Sequence, residues 1–230
     1  MSINKEAGPI QTFTGRMVHV DAFNRDDANL QDIATSLSRL ARFNGHTRYF
    51  YSVAQHSAIV ALVAADLAFG TTANDTPALA LKAARWGLLH DAHEAWLGDV
   101  PGPLKAMTEK LNDHTFNIDR VVRQAFGLPE YTDTDVAVLV TEADRLVLAR
   151  EASDLLRHDT GWSKGLKRWE RGVIDRPMEH DEARDKYLHV WGELFGVHAQ
   201  LTQALMPDQV AALLTVLGVK LIPQNAEGQP

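Results

Sequence analysis

Apolar positions recur every three or four residues along almost the whole chain. Residues 30–43, LQDIATSLSRLARF, set Ile33, Leu37 and Leu40 on one side of a helix, and Asn44–Gly45 supplies its stop. The next stretch, SVAQHSAIVALVAADLAFG, opens with Ser52 and Gln55 at capping-box spacing and closes on Gly70. A third, TPALALKAARWGLLHDAHEAWLG, has Thr76 as its N-cap, Pro77 at its first position and Gly98 at its end, which predicts one helix over 77–97. Further helices are expected over 104–126, over 134–157, and in EARDKYLHVWGELFG and PDQVAALLTVLG. Residues 159–178, polar and glycine-containing, read as an ordered surface loop, and only RYFYSV has the look of a strand. The pattern predicts an all-α fold in a single domain over 1–230. Its helical core covers about 30–157, additional C-terminal helices about 158–218, and a disordered tail about 222–230.

Composition narrows the chemistry. The 230 residues are 45% hydrophobic and 23% charged, enough to bury a core, and the formal net charge of −7 argues against a broad nucleic-acid footprint. There is no cysteine, so any metal must be held by His, Asp and Glu. No apolar run approaches the ~20 residues that span a bilayer, and the N-terminus lacks the apolar centre of a secretory signal. A cytoplasmic location and no membrane partner are therefore expected.

Against this background LLHDAHEAWLGDVP, residues 88–101, stands out for the titratable groups it crowds onto an apolar segment. On a helix, Glu94 would lie on the same side as His90 and Asp91, which are themselves about 100° apart but able to reach one ion. A carboxylate one turn on would then face a metal-bound water. His56 in VAQHSAIVALV and Asp144 in VLVTEADRLVL are likewise polar groups set among apolar neighbours, where an ionised carboxylate is costly unless paired or metal-bound. Taken together, His56, His90, Asp91 and Asp144 offer two nitrogens and two oxygens, a set suited to Mn, Co, Zn or Fe(II). The bland alternatives are a satisfied core histidine, an exposed helix charge at Glu94, a turn cap at Asp99 and a C-terminal helix cation at Arg42. The aromatic group Trp162, Trp169, Tyr187, Trp191 and Phe195 is expected to pack the core or an oligomer contact rather than to stack on a base.

The order His, adjacent His-Asp, distant Asp resembles the HD-domain metal-dependent phosphohydrolases. VAQHS with Arg42–Phe43 upstream, HDAHEAWLGDVPGPLK and TEADRLVL resemble the bacterial deoxyribonucleoside 5′-monophosphatases and phage relatives that include dATP triphosphohydrolases. The resemblance spans roughly residues 30–157. It implies His56, His90, Asp91 and Asp144 as ligands to one divalent transition metal, with room for a second, substrate-bridging ion. It implies Glu94 as the group acting on the water, Arg42 as phosphate-binding and Asp99 as the acid near the sugar hydroxyl. Phe43 stands where those nucleotidases carry the tryptophan that senses the sugar.

The expected activity is hydrolysis of a nucleotide phosphate ester, with dNTP triphosphohydrolysis as the alternative; the other class is a metal-bound, non-catalytic signalling or partner-binding module. The expected partner is a small-molecule nucleotide. Relatives are commonly dimeric, so the C-terminal helices are candidates for a homo-oligomer surface or for completing the core.

Overall fold

The computed structural model describes residues 8–131, 133–157, 163 and 165–223. The expected tail and Trp162 lie largely or wholly outside them. Among the described residues the fold is all-α, with two small antiparallel ribbons. β1 (Ile10–Gln11) pairs with β2 (Met17–Val18), and β3 (Gly172–Val173) pairs with β4 (Lys220–Leu221).

At the centre lies α2 (Val53–Phe69), the helix whose sequence is apolar or small nearly all round. A helix with no polar face has to be buried on every side, and α2 is packed by α1 (Leu30–Arg39), α3 (Thr76–Leu88), α7 (Thr134–Leu155), α8 (His180–Phe195) and α10 (Pro207–Val216). Its alanines let neighbouring backbones come close. Against Ala61 the approach is so tight that a Cβ on Gly87 of α3 would sit 2.8 Å from the Ala61 Cα. Ser52 caps α2 by accepting from the Gln55 amide at 3.1 Å. The Gln55 side chain does not return the bond; it donates to the Arg176 carbonyl at 3.3 Å.

Several boundaries differ from those the periodicity predicts. α1 stops at Arg39 rather than at residue 43, because Leu40 turns extended and the chain pairs with the start of α2: the Arg42 amide donates to the Tyr51 carbonyl at 2.9 Å. RYFYSV forms no strand, only the isolated bridge Ala41–Ser52. Asp75, not Thr76, caps α3, accepting from the Ala78 amide at 3.1 Å.

The expected helix 77–97 is broken at the His-Asp pair. α3 ends at Leu88, residues 89–93 form tight turns, and α4 (Glu94–Leu97) is a single turn ending on Gly98 at φ 79°. The turn is drawn tight by three-residue hydrogen bonds, Leu89 amide to Trp86 carbonyl at 3.2 Å and Ala92 amide to Leu89 carbonyl at 3.1 Å. The helix expected over 104–126 is likewise two, α5 (Gly102–Lys105) and α6 (Glu109–Ala125).

The C-terminal part belongs to the same packing. The Tyr187 hydroxyl of α8, fully buried, donates to the Leu88 carbonyl at 3.0 Å and so holds the end of α3. Trp191 stacks on Phe195 with ring centroids 4.0 Å apart, which is core packing, not a base platform. A short helix the pattern did not show, α9 (Val197–Thr202), precedes α10. The described part of 159–178 is not a polar surface loop: it buries Trp169, Ile174 and Met178 and carries β3.

The α2–α3 contact yields a stability test. Gly87→Ala forces its methyl into the α2 backbone and is expected to cost about 1–3 kcal/mol. Gly192→Ala, with nothing within 4 Å, is the control and is expected to be neutral or to stabilise by up to about 1 kcal/mol. Urea unfolding of the two variants checks both signs.

Candidate metal centre

Two helices and one turn meet at the site. α2 supplies His56, the turn after α3 supplies His90 and Asp91, and α7 supplies Asp144. His56 Nε2 lies 3.2 Å from Asp144 Oδ1 and 3.6 Å from Asp91 Oδ2, while His90 Nε2 lies 3.1 Å and 3.9 Å from Asp91 Oδ2 and Asp144 Oδ1. Side-by-side placement of His90 and Asp91 does not come from helix spacing, as the sequence pattern suggested. It comes from the tight turn, in which the His90 ring is pinned by its Nδ1 to the Gly87 carbonyl at 2.7 Å.

Both Nε2 atoms are buried without a hydrogen-bond partner among the described residues. Buried polar atoms are rarely left so, and two imidazole nitrogens facing two carboxylate oxygens at these spacings form a donor set that fits a divalent ion. Even without Asp91, the residues His56, His90 and Asp144 meet the spacing of a metal-holding group. Each histidine has its other nitrogen tied, His90 to the Gly87 carbonyl and His56 to Glu151 Oε1 at 2.7 Å, the arrangement that orients metal-bound imidazoles. Without an ion, the crowded carboxylates hold protons on the rings: burial works against the His90 cation, but Asp91 and Asp144 outweigh it and push its pKa up to about 9. The Asp144 side chain is 43% exposed, so the cluster opens to solvent on the α7 side.

Arg42 is not a helix-end cation. It sits on a 3-10 turn where Phe43 and Asn44 take left-handed φ values of 54° and 50°. Non-glycine residues pay for that conformation in strain; here it turns the Arg42 side chain into the core, 9% exposed. Its Nε and Nη2 donate to Glu151 Oε2 at 3.2 and 3.1 Å, and its Nη1 lies 3.8 Å from Asp91 Oδ2. Burial opposes the guanidinium charge, and Glu151, Asp91 and Asp144 more than restore it. The Phe43 ring packs beside it, 5.6 Å from the guanidinium carbon.

Across the cluster, Glu94 is 2% exposed. Its Oε1 accepts from Lys105 Nζ at 3.1 Å, and its Oε2 is buried with no partner among the described residues. Burial, with the charges of Asp91 and Asp99, pushes its pKa up to about 7 against the pull of Lys105. Asp99, half-buried after Gly98, accepts no hydrogen bond from the described residues, so the cap reading has no support; burial raises its pKa and the Arg42 charge opposes that rise.

Some of the site was not legible in the sequence. Glu151, fully buried between His56 and Arg42, went unnoticed, although it lies seven residues after Asp144 and hence on the same face of α7. His93 stands in the same stretch, three residues after His90. It is buried, its Nδ1 bound to Asp119 Oδ1 at 3.0 Å, and with Asp91 and Glu94 it forms a second close group. His46 is exposed, and Arg48 is tied to the Leu156 carbonyl at the far end of α7.

A family model described as 5′-deoxynucleotidase YfbR-like matches residues 32–151, a span that runs from α1 to Glu151 and holds the whole cluster. The chain belongs to this family. Within the YfbR-like HD-domain phosphohydrolases it is similar to the uncharacterized protein YfdR of Escherichia coli (strain K12), 38% identical over 147 residues, 64% of this chain and 71% of that one. It is also similar to an uncharacterized protein of Rhodobacter capsulatus, 34% identical over 135 residues, 56% of this chain and 63% of the relative. The YfbR-like match and the His/Asp group together support a divalent metal at this centre.

Two measurements follow from the geometry. After dialysis against cobalt, elemental analysis is expected to find about one equivalent in the wild-type protein and in Glu94→Gln. His56→Ala, His90→Ala and Asp144→Ala should hold far less, and a fully loaded His90→Ala would remove His90 from the ligand set. The second concerns stability of the metal-free chain. An acid whose folded pKa rises from 4.5 to about 7 contributes fully below pH 4.5 and loses that contribution as pH climbs through 7. Glu94→Gln, which cannot ionise, should therefore match the wild type near pH 4.5 and exceed it at pH 8 by up to about 3 kcal/mol, read by urea unfolding at the two pH values.

Proposed function

We propose that the protein hydrolyses the phosphate ester of deoxyribonucleoside 5′-monophosphates in a metal-dependent reaction. One observation carries the reading: the His56, His90 and Asp144 group, with Asp91 Oδ2 3.6 and 3.1 Å from the two imidazoles, lies beside the Arg42 guanidinium and a buried glutamate whose pKa is pushed up to about 7. The family match supports the nucleotide class. Mn, Co, Zn or Fe(II) suits the donors, and such an ion, when bound, polarises a phosphoryl oxygen and lowers the pKa of a bound water.

The remaining work falls to side chains. Arg42 has donors left over after Glu151 is satisfied, and these stabilise charge gathering on the phosphoryl oxygens. Glu94 accepts the proton of the attacking water through its free Oε2 and returns it to the departing 5′ oxygen, which a carboxyl with a pKa near 7 does in both directions. Lys105 fixes the other oxygen of Glu94 in place. Asp99 and the Phe43 ring border the cluster where the sugar would sit, with Phe43 in the tryptophan position of the nucleotidases it resembles. No covalent enzyme intermediate is needed.

Charge count favours the monophosphate over the triphosphate. Arg42 and Lys105 are the cations beside the cluster among the described residues; Lys105 is paired with Glu94, and Arg48, in the loop that follows Arg42, is engaged at Leu156. Among the described residues the other group with metal-holding spacing is Asp91, His93 and Glu94, where the Lys105 ammonium already pairs with Glu94. One resident ion is therefore the reading, with any other arriving with substrate. A non-catalytic module would have no need of a glutamate kept near neutral beside a complete ligand set.

Product analysis over ribo- and deoxyribonucleoside mono- and triphosphates with Mn or Co decides the matter. Inorganic phosphate released from deoxyribonucleoside monophosphates is expected, with Glu94→Gln slower by about 10²–10⁴-fold. Release of triphosphate would establish the alternative leaving group, and loaded protein inert towards every nucleotide would establish the non-catalytic module.

A further inference from the structure

Glu151 is the one fully buried carboxylate of the centre that is not placed to touch either an ion or a substrate. Each of its oxygens has its own partner: Oε1 accepts from His56 Nδ1 at 2.7 Å, and Oε2 accepts from Arg42 Nε and Nη2 at 3.2 and 3.1 Å. The residue is 0% exposed, so bulk solvent does not reach these bonds. We propose that Glu151 is the positioning residue of the centre, a single carboxylate that sets both the metal-facing side of His56 and the phosphate-facing side of Arg42. This rests on the hydrolase reading above and adds the device that joins its metal and phosphate subsites.

The argument is one of atoms. Holding the proton on His56 Nδ1 leaves the lone pair on Nε2, which is the atom 3.2 Å from Asp144 Oδ1 and 3.6 Å from Asp91 Oδ2. On the other oxygen, the Nε–Nη2 edge of the guanidinium is consumed, which leaves Nη1 and the second hydrogen of Nη2 directed away from Glu151. That free side is the one nearest the ligand cluster, with Nη1 3.8 Å from Asp91 Oδ2. His90 obtains the same Nδ1 anchoring from the Gly87 carbonyl, a neutral acceptor that orients no second group. Only on the His56 side is the anchor a charge shared with a cation. Because Arg42 and Glu151 come from opposite ends of the sequence core and from different elements, the carboxylate also fixes the 3-10 turn against α7.

Cobalt titration by visible absorption, and inorganic phosphate titration of the cobalt-saturated protein by calorimetry, test this without any turnover. Glu151→Gln keeps the shape and removes the charge. It is expected to weaken cobalt binding about 10- to 100-fold and phosphate binding about tenfold. Glu151→Gln strands the Arg42 cation, so Arg42→Met/Glu151→Gln, which buries no unpaired charge, is compared with Arg42→Met as the second variant. The double variant should still lose cobalt affinity by tenfold or more. A carboxylate that only stabilises the fold would lower the melting temperature and leave both dissociation constants of the folded protein unchanged, and that result, in either variant, overturns the proposal. Wild-type protein that binds cobalt and phosphate but hydrolyses no nucleotide would sink the proposed function alone; unchanged affinities in an active nucleotidase would sink the positioning role alone.

Discussion

Everything at this centre depends on compensating charge where water is scarce. His56 lies at zero exposure on a helix that has no polar face, and Glu151 lies beside it at zero exposure on another. An isolated ionised group in such a place costs several kcal/mol, so each has to be met by a partner at hydrogen-bond distance. Arg42 meets Glu151, Glu151 meets His56, and His56 turns its remaining nitrogen on Asp144 and Asp91. The chain of contacts crosses three segments far apart in sequence, and it explains why the turn after α1 tolerates two left-handed non-glycine residues. The strain of Phe43 and Asn44 is offset by delivering a guanidinium to a carboxylate that would otherwise be unpaired.

The helices that frame the centre were largely visible in the apolar pattern. α2, α7, α8 and α10 lie where periodicity and caps put them, because burial sets their register and nothing local competes. The errors gather at the site. Periodicity carried α1 through Arg42 and α3 through the His-Asp pair, whereas a bridge to Ser52 ends the first and a pinned imidazole tightens the second. Polar side chains that bond their own backbone override a hydrophobic repeat, and functional turns are where such residues collect. Pattern reading also took 159–178 for surface, missing that Trp169 and Ile174 close over the core.

Within the cluster, His56 and Asp144 were legible as polar groups in apolar helices, and His90 and Asp91 through the crowding of titratable groups after Leu88–Leu89. Glu151 was not, since LVLAREASDLL carries Arg150, Glu151 and Asp154 in close succession, and Arg150 and Asp154 are nearly buried as well, paired with each other. A residue seven places from Asp144 shares its face, but the same face also has to be known to point at α2. That knowledge is tertiary, and no single-sequence repeat contains it.

The alanine-lined surface of α2 has a consequence for how such a centre can change over time. With α3 in backbone contact at Gly87, the floor of the site has no slack, and enlarging it means shifting whole helices. At the Phe43–Gly45 turn and at Gly98 there is no such packing: a Cβ on Gly45 or Gly98 would meet nothing within 4 Å. Novelty in what is recognised can therefore arise by exchanging residues on two short rims, while the hydrolytic floor is inherited unaltered. The molecule separates what is free to drift from what is not, and the dividing line is the depth of one helix contact.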